Sequence, residues 1–360
     1  MTATPPPNPP TPSIPPPPLL RLPGGAWAAP IVQALRAGGL VVRADVGVLE
    51  LSGTGAVVCM QGLLTADFEK PGDGAFVYGA LLTSKGMIVV DGWGARLGTT
   101  VRFVVPAVGR ERALAILNRS VPPRLARSAD RSAELSVVRL AGAHALAIAD
   151  AARLPTLPAP GRTTSVTLEG ETCDIARSSE GAPFVLQFVV PAGAAARLID
   201  RLESAGALQG GPPALELARV LSGWPGLASE VDERTLPQEV RFDEIGGVSY
   251  TKGCYTGQET VSRLHFRGHA NRRLVGLEFE AEPPVGIAIT VPLRTDDREM
   301  GRVTSVAWLP EGAPNAGAAG RWIGLGVVRR EVEVGARVRA GDVAARIVAL
   351  PFVLPRWDPA

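Results

Sequence analysis

The sequence predicts an α+β protein that ends in a small β-barrel. Three observations carry that expectation. β-prone segments come in pairs joined by tight turns rather than alternating singly with helices. Two such groups of strands are each followed by an amphipathic helix. After Asn271 the chain breaks into short strands separated by Gly, Pro and Asp.

Taken in order, Thr2 to Leu20 is dominated by proline, which fixes φ and removes a backbone donor, so residues 1–22 are expected to be a disordered tail. From Leu40, LVVRADVGVLELSG is β-prone, and a helix is expected from Thr54 to about Phe68, capped by Ser52 or Thr54. Strands follow at Ala75 to Leu82, Met87 to Asp91 and Val101 to Val105, then a helix near Val108 to Arg119. The alternation recurs with strands near Glu134 to Leu140, Ser165 to Leu168 and Phe184 to Val190. A helix from Ala192 to Ser204 then puts Ala195, Leu198, Ile199 and Leu202 on one face. A further helix, Pro213 to Leu221, leads into the irregular stretch Ser222 to Gly257, and long irregular stretches inside compact proteins are often functional. The barrel strands are RRLVGLEFE, VGIAITVPL, MGRVTSVAWL, RWIGLGVVRR and VAARIVAL, with GAPNAGAAG, Gly312 to Gly320, as a hairpin connection. Boundaries near Leu22 and Gly268 divide the chain into 1–22, 23–268 and 269–355.

Composition narrows the function. An apolar fraction of 46% over 360 residues supports more than one core. Lys and Arg (37) balance Asp and Glu (35), and a net charge of +2 provides no global field for steering onto nucleic acid or an anionic membrane. No stable nucleic-acid binding is expected. Cys59, Cys173 and Cys254 are far apart, with no CxxC pair, so neither a metal site nor a disulfide framework is indicated. With no secretory signal and no long apolar run, a soluble cytoplasmic protein is expected.

The residue that stands out is Cys254 in KGCYTGQE, with Lys252 two positions before it and Gly253 and Gly257 around it. A nearby cation and little steric cover favour a reactive thiol, whereas Cys59, inside AVVCMQGLL, reads as a core thiol. A papain-type hydrolase would need a histidine base. The nearby candidates, His265 and His269, read as solvated loop residues, and His144 stands alone. Arg263, Arg267, Arg272 and Arg273 form the densest basic cluster, suited to a phosphate or a polyglutamyl tail, but Phe266 is its one aromatic residue. In LLTSKGMIVVDGWG a Lys85-Gly86 turn precedes Asp91 on the returning strand. No Walker A or GxGxxG loop is present.

Together CMQGLLTAD, LLTSKG, RVLSGWP and LPQEVRFDEIGGVSYTKGCYTGQETVSRLHFRG, followed by the barrel strands, resemble the YgfZ family of folate-binding proteins, over roughly residues 25 to 350. That family is similar in fold to the T-protein of the glycine cleavage system, an aminomethyltransferase whose domains surround a tetrahydrofolate channel. The resemblance implies a three-domain ring, with two interleaved α+β domains in residues 23–268 and the barrel as the third. It implies tetrahydrofolate as cofactor and a role in assembly or repair of iron–sulfur clusters in client enzymes, including radical enzymes that modify tRNA. The family motif falls on Lys252, Gly253, Cys254, Tyr255, Gly257, Gln258 and Glu259, with Arg263 after it. Cys254, assisted by Lys252, is the working thiol that it implies. Gln61, Asp67, Lys85 and Asp91, with Tyr255, Gln258, Glu259 and Arg263, would line the folate channel.

The aminomethyltransferases commonly carry two adjacent aspartates after the equivalent turn, where this chain has Val90-Asp91. The expected function is therefore an accessory protein rather than a classical enzyme. A tetrahydrofolate-dependent one-carbon transferase is the alternative, and an RNA- or protein-binding adaptor using the Arg263 to Arg273 cluster is a third.

Overall fold

The computed structural model of the protein describes residues 20–23, 27–284, 291–295, 298–311 and 319–353. The expected tail lies outside the described residues as far as residue 19, as does most of the expected connection, 312–318. Leu20 and Arg21 form a strand and Leu22 is buried, so the end of that tail belongs to the folded protein.

The first α+β unit is an antiparallel sheet of β3 (Val46–Ser52), β4 (Phe76–Leu82), β5 (Ile88–Leu97), β6 (Thr100–Pro106) and β7 (Arg127–Asp130), in the order β4-β5-β6-β3-β7. α2 (Ala56–Gln61) and α3 (Arg110–Ser120) cover one face and bury Leu49, Met60, Phe68, Phe103 and Leu117 against it. The second sheet runs β12-β2-β8-β11-β10-β9. It comprises β2 (Leu40–Arg43), β8 (Leu135–Ala141), β9 (Arg162–Leu168), β10 (Glu171–Arg177), β11 (Leu186–Pro191) and β12 (Leu208–Gly210). α4 (Ala145–Ala151) and α5 (Ala195–Ser204) cover it, and α5 buries Ala195, Leu198, Ile199 and Leu202 as its period predicts.

The two units repeat one plan, and each enters its second helix through the same five residues, Phe-Val-Val-Pro-Ala at 103–107 and 188–192. Proline ends the strand because it donates no hydrogen bond to the ladder, and it starts the helical turn that follows. The units also interleave. β2 precedes the first sheet in sequence yet belongs to the second, where β12 pairs with it in parallel.

The third unit is a closed six-stranded barrel of β13 (Arg272–Phe279), β14 (Val291–Thr295), β15 (Arg298–Pro310), β16 (Gly320–Arg329), β17 (Arg337–Ala340) and β18 (Val343–Val348), closed by β15 on β16. β1 (Leu20–Arg21) adds in parallel to β15, with Leu20 opposite Ser305. α1 (Ala28–Ala37) and α6 (Pro212–Leu221) lie between the units. One apolar cluster, including Leu40, Tyr78, Trp93, Leu217, Trp224, Phe242, Leu309 and Ile323, joins all three around a central cavity. Arg219 of α6 fixes that junction. It donates to Glu230 at 2.7 Å and to Glu216 at 2.6 Å, and Ser305 of the barrel donates to Glu230 at 2.6 Å.

Three expectations are corrected. The helix expected to reach Phe68 stops at Gln61, because backbone carbonyls of the next residues turn toward Lys252 instead of closing helical bonds. Gln258–Arg267, read as loop around His265, is a helix, α7, whose buried face is set by Val261. α1, α4, β7, β10, β12 and β17 were not expected; α1 and α4 are alanine-rich and give weak periodic signals. No helix among the described residues is long and apolar enough to cross a membrane.

Candidate functional site

The central cavity has a volume of about 670 Å³, within the range of small-molecule and cofactor sites. Its inner wall is aromatic because β4 and β5 alternate their side chains. Tyr78 of β4 pairs with Trp93 of β5 and both point inward, with ring centroids 5.3 Å apart. Trp224, from the turn after α6, stacks on Trp93 at 5.7 Å and meets Tyr78 edge-on at 4.9 Å. Phe184 and Phe242 close the cluster from the second sheet's side and the irregular stretch. Such a wall suits a flat heteroaromatic ring.

Asp91 lies two residues before Trp93 on β5, lines the same cavity and is 4% exposed. Tyr78 Oη donates to its Oδ2 at 2.7 Å, whereas Oδ1 has no hydrogen bond to another residue among those described. Burial pushes its carboxyl up to about 6, against the opposing pull of the Tyr78 hydrogen bond and of Arg219. Burial and the neighbouring Asp91 hold the Tyr78 phenol well above its ordinary value, so it remains a donor. A carboxyl titrating near neutral pH in a largely apolar cavity can take or return a proton. Arg139 and Glu216 also line the cavity; Arg139 is held by Gln187 and lies 4.3 Å from the Phe184 ring centroid.

A second constellation surrounds Cys254 and does not share this cavity. Lys252 Nζ donates to the carbonyls of Gln61, Leu64 and Ala66 at 2.6, 2.7 and 2.9 Å and lies 5.1 Å from the Tyr255 ring centroid. Burial draws its pKa down to about 8, opposed by Asp67 and Glu69. Gln61 donates to Asp67 at 3.0 Å and accepts from the Phe68 amide at 2.7 Å. Burial alone would raise the Asp67 carboxyl, but the Lys70 amide, Gln61, the Glu69 amide and Lys252 together hold it below its ordinary value. The Thr256 amide donates to Gly62 O at 3.1 Å, and Gly257 packs on Gly86 at the β4–β5 turn. The three motifs CMQGLLTAD, LLTSKG and KGCYTGQE thus meet at one locus. Cys254 is exposed on it.

The single site expected from the sequence is therefore two. Asp91 lines the cavity, while Gln61, Asp67, Lys85, Tyr255, Gln258, Glu259 and Arg263 do not. Gln61 and Asp67 brace a turn, Lys85 is exposed at a hairpin tip, and Tyr255 packs beneath Lys252. Gln258, Glu259 and Arg263 lie on α7. The ammonium of Lys252 is committed to three carbonyls rather than presented to a thiol. The aspartate missing at Val90 is not missing from the cavity either. Val90 points to the opposite side of β5, into the core of the first unit. Tyr78, Trp93 and Trp224 were not singled out; the i, i+2 spacing of Asp91 and Trp93 on a strand was the available signal.

The GCVT N-terminal domain model matches residues 32–245. The aminomethyltransferase of Rubrobacter xylanophilus is 29% identical over 91% of this chain and 88% of its own length. The tRNA-modifying protein YgfZ of Serratia proteamaculans is 30% identical over 54% of this chain and 57% of its own length. The glycine cleavage system aminomethyltransferase T of Bartonella henselae superposes with a TM-score of 0.74 over 91% of this chain and 90% of that one; at 20% identity this likeness concerns the fold. With more than half of the chain matched, the protein belongs to the family of the GCVT N-terminal domain, as a YgfZ-type member related to the aminomethyltransferases.

Proposed function

We propose that the protein is a tetrahydrofolate-binding accessory factor in the assembly or repair of iron–sulfur clusters in client enzymes, including enzymes that modify tRNA, with Cys254 as its exposed working thiol. The observation that carries the folate half is the aromatic cavity with buried Asp91. Its volume suits a pterin with its aromatic extension. Tyr78, Trp93 and Trp224 line it with aromatic surface, and Oδ1 of Asp91 has no partner residue among those described. The relatives named YgfZ support the link to tRNA modification. Calorimetry with tetrahydrofolate tests the cavity: saturable binding that W93A abolishes is expected, and no heat at millimolar ligand overturns it. For the thiol, C254S is expected to fail to restore an iron–sulfur enzyme in cells lacking the protein, and full rescue removes Cys254 from the mechanism.

A tetrahydrofolate-dependent one-carbon transferase is the second reading. It is favoured by the retained Asp91, a carboxyl raised to about 6 by burial that lines the cavity this reading gives to folate, and by position 90 facing away from the cavity. Formation of methylenetetrahydrofolate from an aminomethyl donor would establish it, with loss of the product in D91N.

A further inference from the structure

Helix α7 carries an exposed aromatic and basic surface that neither the cavity nor the Cys254 loop uses. Phe266 is 67% exposed. Its ring stands edge-on to His265, with centroids 4.8 Å apart, and to Tyr250 at 6.0 Å. Tyr250 and His265 are themselves stacked at 3.6 Å. In sequence Phe266 is one ring among arginines. The fold brings Tyr250, from the loop ahead of Cys254, to make a three-ring cluster in which Phe266 is exposed.

The charges beside it are unbalanced. Arg263 and Arg267 are four residues apart on an exposed face of α7. The helix ends at a groove of about 490 Å³ lined by His265, His269, Arg273 and Arg330, among others. Arg272, also in the groove, is neutralised by Glu239 at 2.9 Å, and Asp243 is engaged by Tyr250 and lies 3.7 Å from His265 Nδ1. Among the described residues, no carboxylate lies within ion-pair distance of Arg263, Arg267, Arg273 or Arg330. Glu333 is the acid left facing the groove. The near-neutral chain therefore concentrates guanidinium groups beside open rings.

We propose that this face binds single-stranded nucleic acid, with phosphates along Arg263, Arg267 and the groove and an unpaired base on Phe266. Arginines alone would serve any polyanion. An exposed ring next to them selects a strand whose bases are free to stack, because a duplex presents phosphates but no base face. The inference is independent of the folate reading and is tested on ligand-free protein.

The test is fluorescence anisotropy with a labelled single-stranded RNA of about 12 nucleotides, within the span of ordinary single-strand sites. Three or four phosphate contacts predict that affinity falls about 20- to 50-fold between about 50 and 200 mM salt. F266A is expected to weaken binding about tenfold with the salt slope unchanged, and R263A/R267A to flatten the slope by about 1 to 1.5. A duplex of the same length should bind more weakly than the single strand. All three substituted residues are exposed, and an unchanged thermal midpoint verifies folding. Absence of binding up to about 0.1 mM, the weak end of non-specific affinity, overturns the proposal. So does full affinity in F266A, or equal binding of duplex, since either reduces the surface to charge alone.

Discussion

Gly257 and Gly86 meet backbone to backbone: a Cβ on Gly257 would lie 3.0 Å from Gly86 Cα and 2.5 Å from the Thr83 carbonyl oxygen. Gly257 also has φ +82°, a conformation L side chains rarely adopt. The contact locks the Cys254 loop to the β4–β5 hairpin. Gly253, on the other side of Cys254, has open space around its missing side chain.

The two glycines should therefore respond differently to one methyl group. G257A is expected to lower stability by about 2 to 4 kcal/mol through left-handed strain plus the clash. G253A is expected to change it by less than about 0.5 kcal/mol. Urea unfolding of the two variants checks this, and equal effects would mean that the loop is not anchored at Gly257.

Lys252 should behave as a brace. K252M keeps the stem but leaves three carbonyls without their donor, at a cost of about 2 to 5 kcal/mol. Its thermal midpoint is expected to fall by roughly 3 to 7 °C. If the ammonium served only to activate Cys254, the midpoint would stay put while thiol reactivity fell.

How much was legible in the sequence depends on how far apart the cooperating residues are. The β4–β5 hairpin and α5 were readable because their apolar positions follow periods of two and 3.6 within a single element. α2 was read too long because the group that takes its following carbonyls, Lys252, lies 186 to 191 residues away. The cavity was readable at Asp91 alone. Tyr78 and Trp93 are cross-strand partners in one hairpin, but Phe184 and Trp224 come from other elements and reach them only through packing between the units. Family motifs led to the Cys254 locus, but adjacency in sequence misled at Val90, since neighbours on a strand face opposite sides.

Cys254 should be the first cysteine to react in the native protein. Cys173 is buried, its thiol pushed up by burial and by Glu171 and Glu169, and burial also raises the half-buried Cys59. Brief treatment with iodoacetamide followed by peptide mass mapping is expected to modify Cys254 roughly tenfold faster than either. Preferential labelling of Cys59 would contradict the exposed loop.

Asp91 gives the protein a specific pH dependence. Its carboxyl titrates near 6 in the fold against 3.8 ordinarily, so the folded state holds the proton more tightly. Stability linked to this group is therefore greatest below 3.8, declines as pH rises through the window from 3.8 to about 6, and is flat above it. The full effect is at most about 3 kcal/mol. An asparagine keeps the shape and an acceptor for Tyr78 without the buried charge. Ligand-free D91N should thus be more stable than the parent at pH 8 by about 1 to 3 kcal/mol and nearly equal to it at pH 4. Comparing the two proteins by urea unfolding at each pH cancels the other carboxyls. A difference of the same size at both pH values would show that Asp91 is not the group whose ionisation the cavity opposes.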